Sequence, residues 1–256
     1  KITGTEIPRP SYVFGTMHLI CKDDYIWTIP MKKSLKAAKE VCFEMDMDDP
    51  SLMMEIANGM VDYSGKQLQD YFSPEDYQLL AQYFSDSLNM NIAMIAQLKP
   101  AALISFLASS GFKCSNTVSY ESNIMREAKK MKLEITGLER PGEQLALLES
   151  IPTDTIITEL MQIVRGKTSS NEEYHHMVKA YRSQDIAQLH ELMSTEENKI
   201  SLNAFLDERN IKWIERMEER MDQQPVFFAV GAGHLWGDNG ILNLLRSKGY
   251  KVEAIK

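Results

Sequence analysis

The segment Pro225-Val-Phe-Phe-Ala-Val230 is apolar on both faces of an extended chain and runs straight into Gly231-Ala-Gly-His234. A strand without a polar face has to be covered on both sides, as strands inside parallel or mixed sheets are. The glycine that ends it permits a sharp turn and a close approach of backbone to ligand. The same arrangement occurs near the other end of the chain. Ser11-Tyr-Val-Phe14 is a shorter aromatic and β-branched run that stops at Gly15, and His18 stands three residues later. Helix formers from Met31 to Lys39 and a strand over Glu40-Val-Cys-Phe-Glu44 follow the first histidine. A helix from about Asp238 to Ser247, ended by Gly249, and a strand over Tyr250 to Ile255 follow the second. Two strand-GxxH-helix-strand units, Tyr12 to Glu44 and Val226 to Ile255, therefore form a weak repeat. Right-handed crossovers place both histidine turns at one end of one sheet, near its centre, at the carboxyl edge where open α/β sheets bind ligands.

The stretch between the repeats reads as helix. Ser73-Pro-Glu-Asp76 combines a cap residue, a proline at the first helical position and acids in the first turn. Pro100 opens the apolar Ala101–Ala108 helix. Tyr120 to Lys130 is another helix, leading into a third strand, Leu133-Glu-Ile-Thr136, and then the turn Gly137-Leu-Glu-Arg-Pro-Gly142. Gln144 to about Asp222 is again mostly helical, with a polar break near Gly166 to Asn171. The pattern predicts an α/β (α+β) fold with a central mixed sheet of about five or more strands. No polar or low-complexity linker separates the parts. The expectation is one domain over residues 1–256, with a helical insertion at about 51–130 and a second helical region at about 143–222.

Composition narrows the function classes. A chain of 256 residues can bury a sizeable core, and 44% hydrophobic with 25% charged residues is ordinary for a globular protein. The net charge of −8 and the lack of any Lys/Arg stripe exclude nucleic acid as a partner. No apolar run reaches the roughly 18 residues of a membrane span. The chain begins at Lys1 without an initiator Met, so the lack of a visible signal peptide carries little weight and a cleaved leader is compatible with it. Cys21, Cys42 and Cys114 are odd in number and lack CxxC spacing. That excludes a zinc ribbon or a dense disulfide framework and leaves the redox compartment open.

The candidate chemistry gathers at the strand ends. His18 and His234 share one local setting, whereas His175, His176 and His190 lack it and read as surface helix residues. Glu44 ends the strand after the first GxxH, and Glu139 ends the third strand. If these strands are neighbours, both carboxylates reach the edge that carries the histidines. Two imidazoles with one or two carboxylates suit a divalent metal that keeps an open position and activates water. Without metal the same groups suit general acid/base work. Asp46 to Asp49 reads as a solvated turn. Glu208-Arg-Asn210 lies on a helix. From composition alone, Arg209 fits a surface ion-pair network with Glu215 and Arg216, or a substrate-binding and oxyanion-stabilising role. The sixteen methionines read as core filler. Trp27 and Trp236, which follow the two GxxH turns, either wall the pocket or simply pack.

These residues resemble a known family. Phe14-Gly-Thr-Met-His-Leu19, Phe43-Glu44, Gly137-Leu-Glu139 with Gln144, Glu208-Arg-Asn210, and Val230-Gly-Ala-Gly-His-Leu-Trp-Gly237 with Gly240 and Gly249-Tyr250 look like the TraB/PrgY/GumN family, in order and spacing, from about Tyr12 to Ile255. The resemblance implies kinship with the Tiki metalloproteases, which are similar to the erythromycin-esterase-like and ChaN-like superfamily. It implies a metal set of His18, Glu44 and His234 for Mn, Co or Zn, and catalytic roles for Glu44, Glu139 and Arg209. It also implies substrate contacts from Arg209, Asn210, Gly15 and Gly233. Arg140 stands where the family's usual residue is Thr. A metallopeptidase acting on peptides is the leading expectation, with a small-molecule substrate left open. The rivals are a metal-independent, esterase-like hydrolase with His18 as base, and a non-catalytic peptide- or haem-binding protein. The resemblance further implies a periplasmic or envelope-associated bacterial protein, with possible membrane attachment through a leader absent from this chain.

Overall fold

The computed structural model describes the chain except residues 6, 111–113, 115, 167–170, 194–198 and 256. In chain order, β1 (Ile2–Thr3), β2 (Tyr12–Thr16), β3 (Ile20–Cys21), α1 (Ile29–Ala37) and β4 (Glu40–Met45) come first. Helices α2 (Leu52–Met60), α3 (Pro74–Leu88) and α4 (Leu103–Ser110) follow, then β5 (Thr117–Val118), α5 (Tyr120–Met131) and β6 (Glu134–Glu139). Five helices come next: α6 (Pro141–Ser150), α7 (Thr153–Val164), α8 (Asn171–Arg182), α9 (Ile186–Met193) and α10 (Lys199–Gln223). The chain closes with β7 (Val226–Gly231), α11 (Ile241–Ser247) and β8 (Lys251–Val252). Most of the expected polar break, residues 167–170, lies outside the described residues. Among those described, no helix is long and apolar enough to cross a membrane.

The fold is α/β, organised as two compact units. One comprises Lys1–Pro50, Cys114–Arg140 and His176–Lys256; the other comprises Ser51–Lys113 and Pro141–His175. The helical excursion expected to reach about residue 130 thus ends at Lys113. The reason is α5, whose Tyr120, Ile124 and Ala128 enter the core of the sheet unit. Helices α9 and α10 also belong with the sheet.

The sheet has four strands in the order β2-β7-β4-β6, all parallel, with Thr16 opposite Gly231 and Met45 opposite Glu139. The expected sheet of five or more mixed strands is therefore smaller and uniform in direction. The last strand of the second repeat does not join it. β8 is two residues long, carries Lys251 on its exposed side and pairs antiparallel with β1. A segment with so little to bury cannot fill a two-sided position. Strand β7 does fill one. Val226, Phe228 and Val230 enter a core with Trp213, Met217 and Met221 of α10 and with α11. Phe227 and Ala229 enter the opposite core with Leu35, Tyr120 and Ile124. Each large side chain buried this way contributes about 1.5–3 kcal/mol of transfer free energy.

β6 runs three residues past Thr136, through Gly137-Leu-Glu139, where the sequence reads as a turn. Close approach explains the glycine: a Cβ at position 137 would stand 2.3 Å from the Asp46 nitrogen and 2.6 Å from the Met45 carbonyl carbon. A disulfide, Cys21–Cys114, ties β3 to the segment before β5, while Cys42 is free and buried. Odd cysteine number and missing CxxC spacing gave no hint of this pair.

The helical unit packs Leu80 and Phe84 of α3, Leu103 of α4 and Leu160 of α7 into its own core. Ser73 caps α3 by accepting from the Asp76 amide, as its sequence predicts. Methionines do fill cores, as Met217 and Met221 show, but Met53, Met54 and Met94 are exposed.

Candidate active site

The four parallel strands end at one edge of the sheet, and that edge gathers the chemistry. β2 leads to His18 and β7 leads to His234, and the two strands are neighbours. Gly15 makes their turns fit together. A Cβ there would meet Leu235 Cδ1 at 2.7 Å and Ala232 Cα at 3.0 Å. Its carbonyl accepts from the Tyr181 hydroxyl at 2.8 Å. Gly233 lies inside the single 3-10 turn Ala232–His234 that lifts the second histidine off its strand. Glu44 ends β4 and Glu139 ends β6.

Arg209 on α10 stands at the centre and is only 5% exposed. Its Nη2 donates to Glu44 Oε2 at 2.6 Å and to Glu139 Oε1 at 2.7 Å. Its Nε reaches both Glu139 oxygens at 3.1 and 3.2 Å. Its Nη1 lies 3.2 Å from His234 Nε2. The guanidinium also stacks over the Trp213 ring, 4.6 Å from the centroid, and the Trp213 indole donates to Glu139 Oε2. The surface ion-pair alternative for Arg209 is thereby replaced by a buried, multidentate one.

The protonation of His234 follows from its neighbours. Asn210 Nδ2 donates to the carbonyls of His234 and Asn239, so its Oδ1 has to accept. Oδ1 faces His234 Nδ1 at 2.6 Å, which puts the proton on Nδ1 and leaves the Nε2 lone pair toward Arg209. Burial pushes the imidazole down to about 4, so it is neutral. Burial pushes Glu44 up, but Arg209, His18 and the Gly231 amide (2.7 Å from Oε1) outweigh it and hold the carboxyl below its usual range. Glu139 moves the other way: burial raises it against the pull of Arg209 and Trp213.

His18 is different. Its side chain is 75% exposed, and its Nδ1 is bonded to Glu121 Oε1 at 2.9 Å. That hydrogen bond raises the imidazole and outweighs partial desolvation. Nε2 is left as the outward nitrogen, the arrangement of a carboxylate-oriented histidine. Glu121 is buried in the first turn of α5, where Ser119 caps the helix and also donates to Glu121 Oε2 at 2.8 Å. Burial raises Glu121, but His18 overrides it and the carboxyl falls to about 2. Thr16, two residues before His18, is buried, and its hydroxyl joins His18 in lowering Glu121. Sequence reasoning did not single out Glu121 or Thr16. An acid in the first turn of a helix is ordinary there and carries no signal of its own.

The structure thus brings Glu44, Glu139, Arg209, Asn210 and His234 together, and holds His18 by Glu121. The donor types suit a divalent metal, but their placement does not. Among the described residues no three His, Cys, Asp or Glu side chains converge on a point that could hold one. Arg209 takes the space between Glu44, Glu139 and His234. A cavity of about 320 Å³ adjoins the two turns, sharing Gly15, Ala232 and Leu235 as wall, with Tyr12, Phe14 and Trp236. Its lining is mainly apolar and excludes the ionised cluster. Trp236 therefore walls a pocket, whereas Trp27 packs on Phe14 at 5.6 Å. His175 and His176 are exposed as expected; His190 is half-buried over Gly237.

Several metalloproteases align with this chain along most of its length. It is 24% identical to metalloprotease TIKI1 of Danio rerio over 95% of this chain and 60% of that protein. It is 24% identical to metalloprotease TIKI2 of Xenopus tropicalis over 95% and 57%. Human metalloprotease TIKI1 is 21% identical over 95% and 59%. The chain spans about 60% of the length of these relatives. No solved structure matches it significantly. The model of the TraB/PrgY/gumN family matches residues 1–254, from ahead of the first histidine turn to beyond the second, and the chain belongs to that family.

Proposed function

We propose that the chain is a metal-dependent hydrolase of peptides, working at the strand ends that carry His18, Glu44 and His234. The observation that carries this reading is the adjacency of the two GxxH strands, with β4 and its Glu44 on the far side of β7. The metalloprotease names of the relatives support the peptide substrate and the need for a metal. As placed, the donors among the described residues do not converge on one point.

The chain's own groups divide the work. His18, kept protonated by Glu121, offers an outward N–H that can give a proton to a leaving group and take it back, with Glu121 as its positioning residue. Of the two strand-end carboxylates, Glu44 is 12% exposed and Glu139 is 4% exposed, so Glu44 is the one that solvent reaches more readily, and either can serve as the base. Arg209, as placed, positions these carboxylates and His234. The oxidised Cys21–Cys114 pair supports export to an oxidising compartment such as the periplasm.

A peptide library incubated with the protein and Mn²⁺, read by mass spectrometry, tests the proposal. Cleavage that stops on chelation and is lost in His18→Ala is the expected result. Capture of peptides without product would contradict it. The His18–Glu121 bond favours a second reading, metal-independent hydrolysis with His18 as base. Cleavage that survives chelation would select that one.

A further inference from the structure

The pocket in which the family kinship implies a metal already holds a cation. Arg209 receives four side-chain acceptor atoms: Glu44 Oε2, both Glu139 oxygens and the Nε2 of His234. Two of them, on Glu44 and His234, belong to residues that the family kinship implies as metal ligands. The tautomer fixed by Asn210 turns the His234 lone pair toward Arg209 Nη1 at 3.2 Å. A metal on that lone pair would sit about 2.1 Å from Nε2. That position falls inside the separation that Nη1 already fills, so the two occupants exclude each other by contact. They also exclude each other by charge, since Arg209 supplies the positive charge that the carboxylates would otherwise seek from a metal.

We propose that Arg209 is the resident cation of this pocket, and that a divalent metal takes Glu44 and His234 only by displacing it. Arg209 then sets the metal affinity of the site. This rests on the reading that a divalent metal serves the enzyme, and it adds what governs the loading. Neutralising Arg209 removes the competitor while leaving every donor residue in the chain; Glu44 keeps the Gly231 amide and His234 keeps Asn210.

The test uses the full chain and the metal alone. Mn²⁺ and Zn²⁺ affinities are measured by calorimetric titration for the parent and for R209M, with folding checked by circular dichroism. R209M is expected to bind about tenfold more tightly or better, the scale of removing one charged competitor from a buried site. The gain is expected to vanish in R209M/H234A and in R209M/E44Q. If R209M does not fold, R209K keeps a charge in the pocket but cannot span both carboxylates, and a smaller gain in the same direction is expected. A folded variant that binds no more tightly than the parent overturns the proposal, and so does a gain that survives loss of His234. Peptide cleavage is scored separately. A gain in affinity with no cleavage leaves the competition standing and removes the peptidase reading, while cleavage with no gain does the reverse.

Discussion

At the scale of single residues, the cluster is held by one arginine. Arg209→Ala leaves Glu139 buried beside Glu44 with no compensating charge, and a loss of about 3–5 kcal/mol is expected in urea unfolding. His234 predicts a pH dependence. Unfolded, it takes its proton near 6.5; folded, only near 4, so the unfolded chain binds the proton first as pH falls. Its contribution is complete above about pH 6.5 and drains away between 6.5 and 4, by about 3 kcal/mol in full. His234→Gln is expected to flatten that acid limb, measured as urea midpoints across the range. His18 runs in the opposite sense. Its raised value means that its contribution is complete below pH 6.5 and is lost as pH rises through the folded value. Solvent screening of a side chain so exposed keeps that effect small. Glu121→Gln is expected to return the His18 titration, followed by NMR, toward 6.5. A His18 titration that did not move would show that Glu121 plays no part in holding it.

At the scale of elements, the strands were legible where both faces are buried and less so elsewhere. β7 is apolar along its length because alternate residues enter two different cores. β6 was cut short in sequence because Gly137 and Pro141 read as turn formers. The glycine is there for contact with β4 instead. Gly137→Ala forces backbone against backbone and is expected to cost about 3 kcal/mol or more. Gly15→Ala meets Leu235, whose side chain can yield, and Ala232, whose backbone cannot. A smaller loss, about 1–3 kcal/mol, is expected there. Both follow from thermal unfolding of the purified variants. The candidate site was legible as far as its residue types. Its wiring was not, because Arg209, Glu139 and Glu44 lie 70 to 165 positions apart and only tertiary contact reveals their bonds.

At the scale of the molecule, the division into two units left no mark on composition, since both are rich in apolar helix. Helix α5 could be assigned to the sheet only from its packing. The Cys21–Cys114 bond was invisible for a similar reason: it closes 93 positions of chain. By chain entropy such a crosslink is worth about 2–5 kcal/mol, and C21S/C114S is expected to lose that much in urea unfolding. The central claim concerns a metal site at the strand ends, where Arg209 holds Glu44 and His234. Crystals grown with Mn²⁺ and without chelator, with diffraction collected for the manganese anomalous signal, test it most directly. The account predicts one peak bonded to His234 Nε2 and Glu44, with Arg209 turned away from both. An Arg209 still bridging Glu44, Glu139 and His234, with no peak beside them at saturating metal, would contradict it.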